Sequence, residues 1–406
     1  MSPSTQAISL VIPSTIYSSG SQVEGEVLVD FRQSTQDKIQ EVHVKLRGFA
    51  QTMITRDKTT LREVHPLVFS NLSLWSHGGE YPAPGSDILR LPFRFRLPDM
   101  LPPSFQYSGF QKSASVLYSI TVVGVRSGTF QMNRRIRVPL VVLPRDVHGM
   151  QVRQAIPSSG FRTVYVEEKI RRGLWGDYAT ARVEFSLPDI QKLPLFCDIP
   201  YQVKIITTTA PLTAAKAAAQ PEDKPIFPSP PSNPTDNNLK LCGRILLRAR
   251  QFTAMADSDI TYILGEGTNT SKTKVTVETY ERVWTPLRTR EEKKEAGGPE
   301  ERGVWVQKIK FSAKMRLTAP PSFVSRLIHS EHYLYLQVPF PGLGNNLKLR
   351  VPMSITSGID APMSLDQPGA THTDGDTPAP PPPLLDLPPS YWDVNYRDWG
   401  NLDEKK

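Results

Sequence analysis

Apolar and polar residues alternate with a period of two along much of this chain. In ILRLPFRFRL, Leu89, Leu91, Phe93, Phe95 and Leu97 fall on one side, while Arg90, Arg94 and Arg96 fall on the other. Ala181, Val183, Phe185 and Leu187 alternate with Arg182, Glu184 and Ser186. Tyr201, Val203 and Ile205 repeat the pattern, as do Leu347, Leu349, Val351, Met353 and Ile355. Successive side chains of a strand face opposite sides of a sheet, so this spacing predicts half-buried antiparallel strands. No window longer than about ten residues carries helical periodicity with caps. Many short strands separated by Pro, Gly, Asn and Asp turns predict an all-β protein built from β-sandwiches.

A faint repeat runs through the pattern. LPPSFQY, VLYSITVVG and RVPLVV (101–142) are echoed in the same order by APPSFVS, HYLYLQVPF and RVPMSI (319–355). Two copies of one sandwich in tandem account for this. Each PPSF is expected to end a strand at a sheet edge, where proline's missing N–H is tolerated, and each tyrosine-containing run to be a core strand. The boundaries expected are 1–147 for the first sandwich and 148–358 for the second. Residues 209–238, rich in Ala, Pro and Ser, and the charged 288–302 read as mobile insertions, and 359–406 as a disordered, proline-rich, acidic tail.

Charge sharpens this division. The formal net charge is +8, but from Thr371 onward seven acidic residues face three basic ones, so the tail is −4 and the rest +12. A basic body favours acidic partners such as phosphorylated peptides or an anionic membrane surface. Without an RNA-binding signature or a dense basic helix, nucleic acid is not expected. Two cysteines, Cys197 and Cys242, imply no disulfide framework and fit a reducing compartment. The N-terminus lacks the basic start and long apolar core of a signal peptide, and VLYSITVVGV is too short and polar to span a bilayer. A soluble cytosolic protein is expected.

The tail holds Pro388-Pro389-Ser390-Tyr391, a PPxY sequence. Adjacent prolines favour polyproline II, the shape that aromatic grooves of WW domains read, and the tyrosine can fill a separate pocket. The two PPSF sequences carry Phe instead and read as structural, which makes Tyr391 the distinguishing residue. Pro388, Pro389 and Tyr391 are therefore the expected WW-binding residues, with Leu387 and Trp392 as flanking contacts. The surrounding stretch cannot pack as a domain, so the motif is expected to be reachable. The cluster Tyr391, Trp392, Tyr396 and Trp399 could instead dock back on the body or extend the partner contact. Leu384-Leu385-Asp386-Leu387 resembles the start of a clathrin-binding box but has Pro388 where an acidic residue is expected. Thr377-Pro378 fits a proline-directed phosphorylation site.

The search for catalytic chemistry finds little. His329 and His332 offer two nitrogens but no third ligand nearby, and read as loop histidines rather than a metal site. The cysteines read as small core residues. Gly265-Glu266-Gly267 lacks a third glycine and a following helix, so a turn is expected. No Gly-x-Ser-x-Gly element occurs. No enzyme, cofactor or metal is expected.

These residues together resemble the arrestin superfamily, in particular its fungal α-arrestin branch of arrestin-related trafficking adaptors. The likeness runs through Tyr17-Ser18-Ser19-Gly20, Val23-Glu24-Gly25-Glu26-Val27, IQEVHVKLRG, LPFRFRLP, LPPSF and LYSITVVGV. It continues in FSLPDI, DIPYQVKI, the second PPSF with YLYLQV, and LKLRVPMSI, and so spans nearly all of residues 8–357. The resemblance implies two tandem arrestin-type, immunoglobulin-like sandwiches and a tail whose PPxY recruits a WW-domain HECT-type ubiquitin ligase. It implies an adaptor that binds cytosolic tails of transporters or receptors through its basic body and promotes their ubiquitylation, endocytosis and sorting. It places such a protein in the cytoplasm, peripherally on the plasma membrane or endosomes. Many members carry several PPxY copies, whereas this chain carries one, which forfeits avidity across tandem WW domains. The alternative is a structural sorting-coat subunit, similar to the arrestin-fold subunit of retromer, without ligase recruitment.

Overall fold

The structure is a computed structural model that describes residues 6–128, 131–173, 175–221, 224–265, 274–287, 301–364, 370–373 and 385–393. It is β-sandwich-like and mostly strand, with helices of seven residues or fewer among the described residues. Alternation becomes burial as the sequence predicts. Along Ile88–Arg96 every second side chain is buried, and so it is along Tyr178–Pro188 and Asp198–Thr208. The run VLYSITVVG lies in Lys112–Arg126, where Ser113 to Gly124 are all buried, as befits a central strand covered on both faces.

Four larger sheets form. The first orders Ala370–Thr373, Ile8–Ile12, Gln22–Asp30 and Ile88–Arg96. The second runs Met363–Ser364, Thr15–Ser18, Arg134–Leu143, Lys112–Arg126, Ile39–Arg56 and Thr59–Ser76, with Phe105–Gly109 also on Lys112–Arg126. The third runs Phe161–Arg171, Tyr178–Pro188, Asp198–Thr208, Arg302–Arg316 and Leu212–Thr213, with Thr276–Pro286 also on Arg302–Arg316. The fourth runs Phe252–Leu264, Asn238–Ala249, Ile328–Val338 and Phe323–Val324, with Leu347–Met353 also on Ile328–Val338.

Two hydrophobic cores hold these sheets, and each draws on distant parts of the chain. One gathers Val44, Leu46, Phe93 and Tyr118 with Ile245, Leu247 and Leu327. The other gathers Phe185, Tyr201, Phe311 and Leu336 with Leu117 and Leu143. The rings of Phe105 and Phe323, one from each PPSF, meet edge to face at 5.4 Å.

Several expectations are corrected. Residues 209–238 are not a loose insertion where described: Leu212–Thr213 pairs with Arg302–Gly303, and Ala214–Ala218 is a short helix capped by Thr213. An alanine run after a threonine is a good helix start. The proline-rich part beyond it is held because the Gln307 side-chain amide donates to the carbonyls of Ile226 at 3.0 Å and Pro228 at 3.1 Å. Of 288–302, residues 288–300 lie outside the described residues, and Arg302 begins a strand. The chain beyond 359 is not wholly a disordered tail either: Met363–Ser364 pairs with Thr15–Ile16, and Ala370–Thr373 with Ser9–Ile12. Backbone groups of a polar segment still complete a sheet edge, whatever the side chains.

Candidate motif-docking site

Each PPS sequence builds the same small device. The prolines bring no N–H, so pairing resumes at the serine. Ser104 N–H donates to the Val142 carbonyl at 2.7 Å, and Val142 N–H donates back to Ser104 Oγ at 2.9 Å. In the second copy Ser322 N–H donates to the Ile355 carbonyl at 3.0 Å, and Ile355 N–H donates to Ser322 Oγ at 3.0 Å. A serine hydroxyl thus takes the place of a strand carbonyl in both. The phenylalanines then open the strands Phe105–Gly109 and Phe323–Val324 rather than ending them.

The two copies differ in what meets the serine hydroxyl. Ser322 Oγ lies 2.8 Å from His332 Nδ1, on the neighbouring strand. Ser104 Oγ lies 2.8 Å from the hydroxyl of Tyr391, which comes from the tail. Tyr118, on the strand beside Ser104, sends its own hydroxyl to the Pro102 carbonyl at 2.7 Å.

Tyr391 is 0% exposed. Its hydroxyl donates to the Leu140 carbonyl at 2.6 Å, and the Tyr118 backbone N–H is directed at its oxygen. Burial pushes its pKa well above the usual phenol range, which keeps it a proton donor. Leu385 and Leu387 are buried with it, in the core that includes Leu117, Val141 and Leu143. Asp386 N–H donates to the Thr318 carbonyl at 2.7 Å, which ties the approach of the segment to the body. Pro389–Trp392 is one helical turn, closed by Tyr391 N–H on the Pro388 carbonyl at 2.9 Å. The Trp392 ring packs edge to face on Tyr391 at 5.2 Å and stays half-buried.

The expectation of a reachable motif is therefore corrected residue by residue. Pro389 is exposed, and Pro388 is half-buried with the polyproline II angles φ −64° and ψ 153°. Tyr391 and Leu387 are inside. A hydrophobic segment with a paired hydroxyl buries wherever a complementary surface exists, even when it cannot fold alone. The aromatic cluster was the signal for this docking; its Tyr396 and Trp399 lie outside the described residues, as do Thr377, Pro378 and Leu384.

The remaining candidates are also accounted for. His329 and His332 sit on the strand Ile328–Val338, not in a loop, and a separation of three turns them to opposite faces. His329 Nε2 meets Glu331 at 3.1 Å, while His332 is buried and its pKa is pushed down to about 4 by loss of water. Both line a cleft of about 580 Å³ together with Arg162 and Met353. Among the described residues no group of three His, Cys, Asp or Glu could hold a metal ion. Burial raises the thiol of Cys197, and raises that of Cys242 to about 11, where it donates to Asp259 at 3.4 Å; neither favours the reactive thiolate. Gly265 has φ +112°, and Glu266 and Gly267 lie outside the described residues.

Nor is the arginine stripe of Ile88–Arg96 a bare cationic face. Arg90 meets Glu26 at 3.1 Å, Arg94 meets Glu24 at 2.7 Å, and Arg96 meets Asp99 at 3.2 Å. Among the described residues no helix is long and apolar enough to cross a membrane. No protein-family model matches this chain, and no curated protein matches it significantly, so its functional reading rests on its own residues and geometry.

Proposed function

We propose that this chain is an arrestin-like adaptor that links a membrane transporter or receptor to a WW-domain HECT-type ubiquitin ligase, and so promotes ubiquitylation, endocytosis and sorting of that cargo. The observation that supports it is the PPxY sequence with Pro389 exposed and Pro388, half-buried, already in the polyproline II conformation that a WW groove selects. The all-β body then serves as the cargo-recognising part, acting peripherally at the cytoplasmic side of the plasma membrane or endosomes. Titrating full-length chain and its Tyr391→Ala variant against an array of WW domains tests this. Binding by the wild type that Tyr391→Ala weakens at least tenfold is expected; equal binding rejects the role of Tyr391.

Burial of Tyr391 favours a second reading, in which segment 385–393 is a structural strap of a sorting-coat subunit. Co-purification in a stoichiometric complex that persists in the Tyr391→Ala variant would support it over the adaptor.

A further inference from the structure

We propose that the body carries a tyrosine-accepting site beside Ser104 and Leu140, that segment 385–393 occupies it in cis, and that this occupancy withholds the PPxY motif from WW domains. The inference rests on the adaptor reading and concerns its regulation.

One side chain is claimed twice. Tyr391 is what separates this PPxY from the two PPSF sequences, and a WW domain must surround it. Here it is 0% exposed, with its hydroxyl on the Leu140 carbonyl at 2.6 Å and beside Ser104 Oγ at 2.8 Å. A side chain with no exposed surface cannot touch a second protein, so the two engagements exclude each other. The site also reads the tyrosine specifically. The register that sets Phe105 against Val116 and Phe323 against Ser330 makes Tyr118 and His332 equivalent positions. In the second copy His332 meets the serine hydroxyl, whereas Tyr118 bonds Pro102 and leaves that role to Tyr391. The first PPS device is thus completed from the tail.

Leu385 and Leu387 supply the apolar hold, and the Asp386 N–H on Thr318 sets the register of the segment. Pro389 stays exposed, but a WW domain that must also surround Tyr391 completes its contact only after the tyrosine leaves the body. If the open form is populated at one part in ten or less, the apparent affinity of the motif falls about tenfold or more.

The experiment compares a WW domain binding a synthetic peptide of residues 382–396, the full-length chain, and full-length Leu385→Asp, which leaves the motif itself intact. Hydrogen exchange of 385–393 is followed in each. The expected result is full-length binding about tenfold or more weaker than the peptide, with Leu385→Asp restored to within about twofold of it. Exchange in 385–393 should be slowed in wild type and fast in the variant. Should Leu385→Asp not fold, Leu385→Ala is expected to shift both readings in the same direction by a smaller factor. Equal affinity of peptide and full-length chain, or free-peptide exchange rates in the wild type, overturns the proposal. A peptide that binds no WW domain overturns the ligase reading, and withholding with it, while the exchange rates still decide whether the segment docks.

Discussion

Tyr391 enters a site already rich in hydrogen-bonding groups, where its single hydroxyl proton goes to the Leu140 carbonyl. Replacing it with phenylalanine keeps the ring packed on Trp392 and removes the hydroxyl's contacts with Leu140, Ser104 and the Tyr118 N–H. A neutral hydrogen bond contributes about 1 kcal/mol net, more when the partner is left buried. Tyr391→Phe is therefore expected to speed exchange of 385–393 about five- to thirtyfold while the global unfolding midpoint stays nearly constant. A change in the midpoint as large as the change in the segment would mean that the tyrosine is part of the global core rather than a separable strap. The ring was legible in the sequence as a distinguishing residue. Its destination was not, because the groups that receive it lie 251 and 287 positions away and periodicity reports only near neighbours.

Strands show the same division. The alternation of Ile88–Arg96 could be read directly, because one solvated face and one buried face are enough to produce it. The PPSF repeat was legible as a repeat, but its role was inverted: proline silences pairing before the strand, and the serine restores it. Gly48 illustrates what packing adds. It sits at a register shift between Ile39–Arg56 and Thr59–Ser76, and a Cβ there would lie 2.5 Å from Tyr118 Cδ1 and 2.6 Å from Val68 Cγ1. The Tyr118 ring fills the space the glycine leaves, which holds its hydroxyl on Pro102 beside the docking site. Gly48→Ala is expected to cost about 1–3 kcal/mol by overpacking, read as a lower urea midpoint. Loosening of segment 385–393 by hydrogen exchange should accompany it. An unchanged midpoint would show that the ring moves aside freely.

Across the whole molecule, His332 ties stability to pH. Its folded pKa of about 4 lies below the ordinary 6.5, so the unfolded chain takes up the proton first. The contribution is complete above about pH 6.5 and is lost progressively as pH falls toward 4, since the buried imidazole must then bind a proton against its surroundings. Between pH 7.5 and 5 this amounts to about 2 kcal/mol, measured as the difference in unfolding free energy at the two values. His332→Gln should flatten the slope; an equal slope in the variant would place the dependence elsewhere.

The all-β class, the faces of the main strands and the candidate motif could be read from residue order, because period-two burial and proline stereochemistry are local properties written into neighbouring positions. Composition misled at 209–238 and beyond 359. It measures whether a segment can fold alone, and those segments are held by others, through Gln307 in one case and through Ser104, Leu140 and Thr318 in the other. Whether Pro388-Pro389-Ser390-Tyr391 stands free or closed was settled by a core assembled from distant strands, since burial of one side chain depends on which surfaces the folded chain brings to it.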